Sequence, residues 1–121
     1  MVSKSNPLSD KSYAFALKII KVYKKLISDK KEFVLSKQLL RSGTSIGANI
    51  SEANGAISQA DFSAKISIAY KESLETKYWL NLLKDSDYLE KQKTNLLIED
   101  ADELSKIMFS ILKTTRIKKR T

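Results

Sequence analysis

From Tyr13 onward, apolar residues return every three or four positions: Tyr13, Ala16, Ile20, Tyr23 and Ile27 form one stripe. A second stripe, Phe15, Ile19, Val22 and Leu26, runs beside it, while Lys18, Lys21 and Lys25 share the opposite face. That period belongs to an amphipathic helix and predicts one over about residues 10–28. Ahead of it, Pro7-Leu8-Ser9-Asp10 supplies a proline and two residues suited to N-capping. Ser28-Asp29-Lys30-Lys31 breaks the pattern as a polar loop. A second helix is predicted over about 32–56, with Leu39, Gly43, Ile46, Ile50, Ala53 and Ile57 on one seam. A third, about 59–84, opens on Ser58-x-x-Asp61, a capping box with Asp in place of Glu. Its seam is Phe62, Ile66, Ala69, Ser73, Thr76, Leu80 and Leu83. Asp85-Ser86-Asp87 makes the next turn, and Leu89 is placed to staple a fourth helix over about 90–114. Leu97, Ala101, Leu104, Met108 and Ile111 form its seam. Residues 115–121 lose the pattern, become basic and read as a frayed or disordered tail.

Two departures from a plain amphipathic pattern carry information. The centre of the second helix, Ser42-Gly43-Thr44-Ser45-Ile46-Gly47-Ala48-Asn49-Ile50-Ser51, has little bulk apart from two isoleucines. Each helical glycine costs about 1 kcal/mol relative to alanine, so a neighbouring helix is expected to approach closely there. The third helix is apolar well beyond its seam, with Ile68, Trp79 and Leu82 on one flank and Tyr70, Leu74 and Tyr78 on the other. Burial on more than one side follows, and in so small a protein the extra side is most simply another subunit. Four helices with short loops predict a single all-α domain over residues 1–121. Its expected form is an antiparallel up-down-up-down four-helix bundle that assembles as a homo-oligomer.

Composition narrows the chemistry. Three glycines and one proline in 121 residues leave too few turn residues for an all-β fold. With no Cys and no His, disulfides, thiol nucleophiles, imidazole bases and zinc sites built on those residues are excluded. No cofactor is expected. The first residues lack the apolar run of a signal peptide, and no stretch approaches the ~18 apolar residues of a membrane span, so a cytoplasmic location is expected.

The net charge of +8 is unevenly spread. Residues 1–41 hold ten Lys or Arg against three acids, residues 42–112 seven against eleven, and residues 113–121 five against none. Basic ends around an acidic middle suggest a polyanionic partner such as RNA or DNA. The candidate contacts are Lys24, Lys25, Lys30 and Lys31 around the first turn, and Arg116, Lys118, Lys119 and Arg120 in the tail. Alternating connectivity puts these clusters at opposite ends, the tail alongside Lys4 and Lys11. No aromatic residue is interleaved with these lysines, so binding should be backbone-directed and poorly sequence-specific. The competing reading is a protein-interaction scaffold whose charge serves solubility or an acidic protein partner.

The stretch from Arg41 to Ala53 resembles the helix-two signature of the bacterial four helix bundle protein family, also called 23S rRNA intervening-sequence or S23 ribosomal proteins. Asp61-Phe62 and Ala69-Tyr70-Lys71-Glu72-Ser73-Leu74-Glu75-Thr76 are similar to its third-helix pattern, and the likeness spans about residues 10–112. The resemblance implies a ring-like homopentamer, with a molecular role poorly defined in the family. It further implies kinship with the accessory protein of diversity-generating retroelements, which shares the fold and binds nucleic acid and a reverse transcriptase. Two positions depart from the common pattern: Ala53 follows Glu52 where many members have Gly, and Glu72 replaces a Gly in the third helix. Ser45, Asn49 and Glu52 occupy the signature positions on one helical face beside Ile46 and Ile50. Polar groups so near a core must be paired, and these are expected to bond across helices or subunits and fix register.

Enzymatic chemistry has one foothold. Glu72-x-x-Glu75 and Glu99-x-x-Asp102 resemble the magnesium-binding carboxylates of all-α nucleotide pyrophosphohydrolases. Such spacings arise readily among 14 acids, and a role beside lysines at a subunit interface is the better account of Glu72 and Glu75. The expected interface comprises Ile68, Glu72, Glu75, Trp79 and Leu82, and no catalytic residue is assigned.

Overall fold

Asn6 starts the first helix: its side chain accepts a hydrogen bond from the Ser9 N–H at 3.2 Å, and Pro7 takes the first helical position. A proline is tolerated there because its missing N–H has no partner to lose. The cap is thus Asn6, ahead of the expected Ser9-Asp10. In this computed structural model, which describes residues 6–120 and the side chains of 6–116, α1 spans Pro7–Asp29, α2 Leu35–Asn54, α3 Gln59–Asp85 and α4 Lys91–Arg120. The described residues are all-α, with four helices and no strand.

Helix boundaries differ from the pattern where capping chemistry decides. Lys31 turns the chain with φ 54°, and the buried Glu32 folds its carboxylate over the start of α2. It accepts from the N–H groups of Val34, Leu35 and Ser36 at 3.3, 3.1 and 2.7 Å, so the helix begins at Leu35 rather than 32. The other end stops at Asn54, short of 56, where the Gly55 N–H bonds the Glu52 carbonyl at 3.1 Å. Ile57 therefore falls outside the seam and is 94% exposed. Ser58 caps α3 by accepting from the Asp61 N–H at 3.0 Å, while the Asp61 carboxylate reaches back to the Ile57 N–H rather than to Ser58. The α3–α4 turn is pinned by Tyr88 N–H to the Leu83 carbonyl at 2.9 Å, with Asp87 in the left-handed region at φ 67°. Residues 115–120 continue α4 instead of fraying. No Gly or Pro interrupts the chain there, and basic residues favour a helix C-terminus.

Each helix supplies four apolar side chains to one core: Leu8, Phe15, Ile19 and Leu26; Leu39, Ile46, Ile50 and Ala53; Ile66, Ala69, Leu80 and Leu83; Leu97, Ala101, Leu104 and Met108. On α1 the core is thus the second stripe. Tyr13 is 69% exposed, and Ala16, Ile20, Tyr23 and Ile27 are only half-buried. Gly43 explains the choice. A Cβ on it would stand 2.9 Å from both γ-carbons of Ile19, so the two helices meet at closest range along that line. At Gly47 the nearest atoms belong to Ser12 at 3.5 Å, an ordinary contact.

Hydroxyls tie the helices inside the core. Thr76 donates to Ser42 at 3.0 Å between α3 and α2, and Ser73 meets Ser105 at 2.7 Å between α3 and α4. Among the described residues no buried side-chain polar atom lacks a partner. Ion pairs span the same two seams, Glu52 with Lys65 and Lys77 with Asp102, and Lys18 with Asp100 joins α1 to α4. The α1–α4 seam is the most open of the four.

Candidate nucleic-acid interface

That open seam widens, at the end of the molecule holding the first and third turns, into a groove of about 630 Å³. Its floor is apolar, formed by Val22 and Leu26 from α1 and Leu89 and Leu97 from the α4 side. Lys18, Lys21, Lys24, Lys25 and Lys30 rim one wall, and Lys93 stands on the other with Tyr88 at the turn. The arrangement follows from helical period. Burying Phe15, Ile19 and Leu26 turns the lysines at positions 18, 21 and 25 toward α4. Only Asp29 and Glu90 bring negative charge to this rim.

Ion pairs take up some of the described basic residues, Lys18 of the groove among them, and leave others, in the groove and elsewhere, unpaired. Lys11, Lys18, Arg41, Lys65, Lys77 and Lys106 each sit within ion-pair distance of a carboxylate. Among the described residues, no such pair involves Lys21, Lys24, Lys25, Lys30 or Lys93. A set of cations left unneutralised around an apolar floor can bind an anion carrying apolar surface. A neighbouring hollow shares Lys30, Tyr88, Leu89 and Glu90 but adds Asp85 and Asp87 beside Lys84 and Lys91, so its charges balance and it suits an anion less.

Of the residues expected from sequence, Lys24, Lys25 and Lys30 come together on the groove. Lys31 lies exposed in the adjoining loop and is not part of the lining. Arg116 is exposed at the far end, where Thr114 and Thr115 line a hollow with Gln59 and Phe62. The side chains of Lys118, Lys119 and Arg120 lie outside the described residues. Sequence reasoning missed Lys18, Lys21 and Lys93 as groove residues. It also placed aromatic residues away from the basic cluster, whereas the fold brings Tyr88 to it. The signal for Lys18 and Lys21 was present, since with Lys25 they share one helical face. Tyr88 and Lys93 lie some sixty residues away along the chain, and only tertiary packing delivers them.

The signature face of α2 lies against α3. Asn49 donates to the carbonyl of Ser45 in its own helix at 2.8 Å, Ser45 is half-buried, and exposed Glu52 pairs with Lys65 of α3 at 2.8 Å. Within the chain, then, only Glu52 of the three reaches another helix, and Ser42 with Thr76 makes the buried cross-helix bond instead. Next along the same seam, Arg41 binds Glu72 at 3.0 Å and also Glu75, which accepts from the Trp79 indole N–H at 2.8 Å. That indole bond holds the Glu75 carboxyl below its usual range against the opposing effect of burial, with Arg41 adding to the lowering. Both carboxylates raise the Arg41 guanidinium further. Glu72 and Glu75 are thus engaged within their own chain, not by lysines. Of the expected interface, Ile68 and Leu82 face outward, 43% and 38% exposed.

The carboxylates of the pyrophosphohydrolase-like spacing are not gathered. Glu72 and Glu75 lie on the α2 side of α3, while Asp102 meets Lys77 and Lys106 on the α4 side. Among the described residues no group of three or more Asp or Glu could hold a metal ion. None of the described helices is long and apolar enough to cross a membrane.

Comparison with known proteins agrees with this fold. A protein of unknown function from the S23 ribosomal protein family of Bacteroides thetaiotaomicron has a crystal structure that superposes with a TM-score of 0.86. It is 50% identical in sequence, and the match covers 88% of this chain and 98% of that one. No curated protein matches the chain. The family model described as 23S rRNA-intervening sequence protein matches residues 4–110, and the chain belongs to that family.

Proposed function

We propose that this protein is a non-enzymatic, self-associating four-helix bundle that binds the nucleic-acid backbone through its α1–α4 groove. The observation that carries the reading is the set of five groove lysines that make no ion pair among the described residues, gathered around an apolar floor. Phosphates would release counterions on meeting them, the main source of non-specific affinity. The helix order is up-down-up-down and antiparallel. The descending register of its pairs, Ser12 by Gly47 then Ile19 by Gly43, supports this. Self-association is supported by apolar residues left outward on α3, among them Ile68, Leu74, Tyr78 and Leu82, and its form as a homopentamer is what the family resemblance implies. A ring of copies would present the groove several times and raise weak contacts by avidity.

Fluorescence anisotropy across a salt series tests the binding. Affinity should fall steeply as salt rises, and Lys24→Glu with Lys25→Glu should weaken it at least tenfold. Affinity that stays flat with salt, or is untouched by the double substitution, would sink the reading. A scaffold without nucleic acid is the second reading, favoured by exposed Tyr13, Leu17, Leu96 and Phe109 on α1 and α4. Purified protein free of co-purifying nucleic acid and indifferent to added oligonucleotide would select it.

A further inference from the structure

We infer that the α1–α4 groove takes single-stranded nucleic acid, with a base stacked on Tyr88 and flanking phosphates held by the α1 lysines. The inference rests on the nucleic-acid reading above and specifies the form of ligand. Three features of the groove converge on it. The floor of Val22, Leu26, Leu89 and Leu97 offers apolar surface between the cations. A duplex keeps its base faces stacked inside and presents mainly phosphate and sugar at this range, so it would leave that floor wet. An unpaired strand brings base faces and phosphates together, and stacking on aromatic rings is how such strands are bound without sequence preference.

Tyr88 is held ready for this. Its own N–H and that of Leu89 both bond the Leu83 carbonyl, at 2.9 and 3.2 Å, directly after the left-handed Asp87. The backbone beneath the ring is fixed, while the residue stays 37% exposed where it lines the groove. Lys21 and Lys25, neither in an ion pair, stand four residues apart on one face of α1, about 5–6 Å from each other. A strand lying along the helix therefore meets both. Lys93 closes on it from α4.

The test measures anisotropy of the full chain with a short mixed-sequence single strand, as RNA and as DNA, with the blunt duplex of the same sequence, and with a mononucleotide. The single strand should bind about tenfold or more tighter than the duplex. Tyr88→Ala should lower single-strand affinity about five- to a hundredfold and leave duplex binding unchanged. Tyr88→Phe, which keeps the ring, should retain most of it, with circular dichroism confirming that both variants fold. Equal affinity for duplex and single strand, or no effect of Tyr88→Ala while Lys24→Glu with Lys25→Glu still weakens binding, overturns this inference and leaves the nucleic-acid reading intact. Affinity that does not rise from mononucleotide to oligonucleotide overturns the strand in favour of a nucleotide pocket. Failure of every probe to bind overturns both.

Discussion

Gly43 and Gly47 sit four residues apart in one helix, and their surroundings assign them opposite roles. Ile19 is fully buried and β-branched, so it has no open rotamer in which to avoid a methyl group placed 2.9 Å away. Gly43→Ala should therefore destabilise the fold by about 1–2 kcal/mol, an overpacking cost partly offset by better helix propensity. Gly47→Ala has room, and should be neutral or stabilise by up to about 1 kcal/mol. Urea denaturation of the two variants checks the contrast, and equal stabilisation by both would remove the close approach as the reason for Gly43. Sequence showed that something must offset these glycines. It could not say which one, because both α1 stripes are apolar enough to be the partner. That same ambiguity hid the true core face of α1, which the fit of Ile19 against Gly43 decides.

At the scale of the element, periodicity located all four helices, and capping chemistry set their ends. The start of α2 is the clearest case, since Glu32 reads as an ordinary first-turn acid until its carboxylate is seen to accept three backbone N–H groups. Burial pushes its pKa up, but the bonds from Ser36, Leu35 and Val34 outweigh burial and hold it below the ordinary glutamate value. A depressed folded-state pKa means stability that is present above the unfolded value of about 4.3 and is lost as pH falls through the lower folded value. Glu32→Gln should cost about 0.5–2 kcal/mol at neutral pH, the range of a lost helix cap. The gap between the variant and the unmodified chain should close as the pH drops below about 4. Thermal melts at stepped pH measure this, and a gap that persists in acid would mean the carboxylate's charge is not what holds the cap. The α3–α4 turn was legible as Asp85-Ser86-Asp87, but its consequence was not. The left-handed Asp87 aims the chain so that Tyr88 arrives beside lysines from the other end of the sequence.

For the whole molecule, the lysines of the groove and the apolar stripe of α3 lie on different helices, and each has its own consequence. The groove sits between α1 and α4, while Ile68 and Leu82 look outward from α3, two heptads apart on one stripe. Because both are exposed in the single chain, Ile68→Glu with Leu82→Glu should leave each chain's helix content and core intact. If the proposed self-association uses this stripe, charge placed on it should split the assembly, read as a fall in mass by light scattering after gel filtration. An unchanged mass would move the contact elsewhere, to Tyr13 and Leu17 of α1 or Leu96 and Phe109 of α4. The double variant also separates what one groove does from what several do together. Linked sites gain affinity by effective concentration, so the dissociated form should bind a long single strand more weakly than the assembly. It should bind a strand short enough for one groove equally well. Loss of affinity for both strands would instead show that the groove is completed by a neighbouring chain.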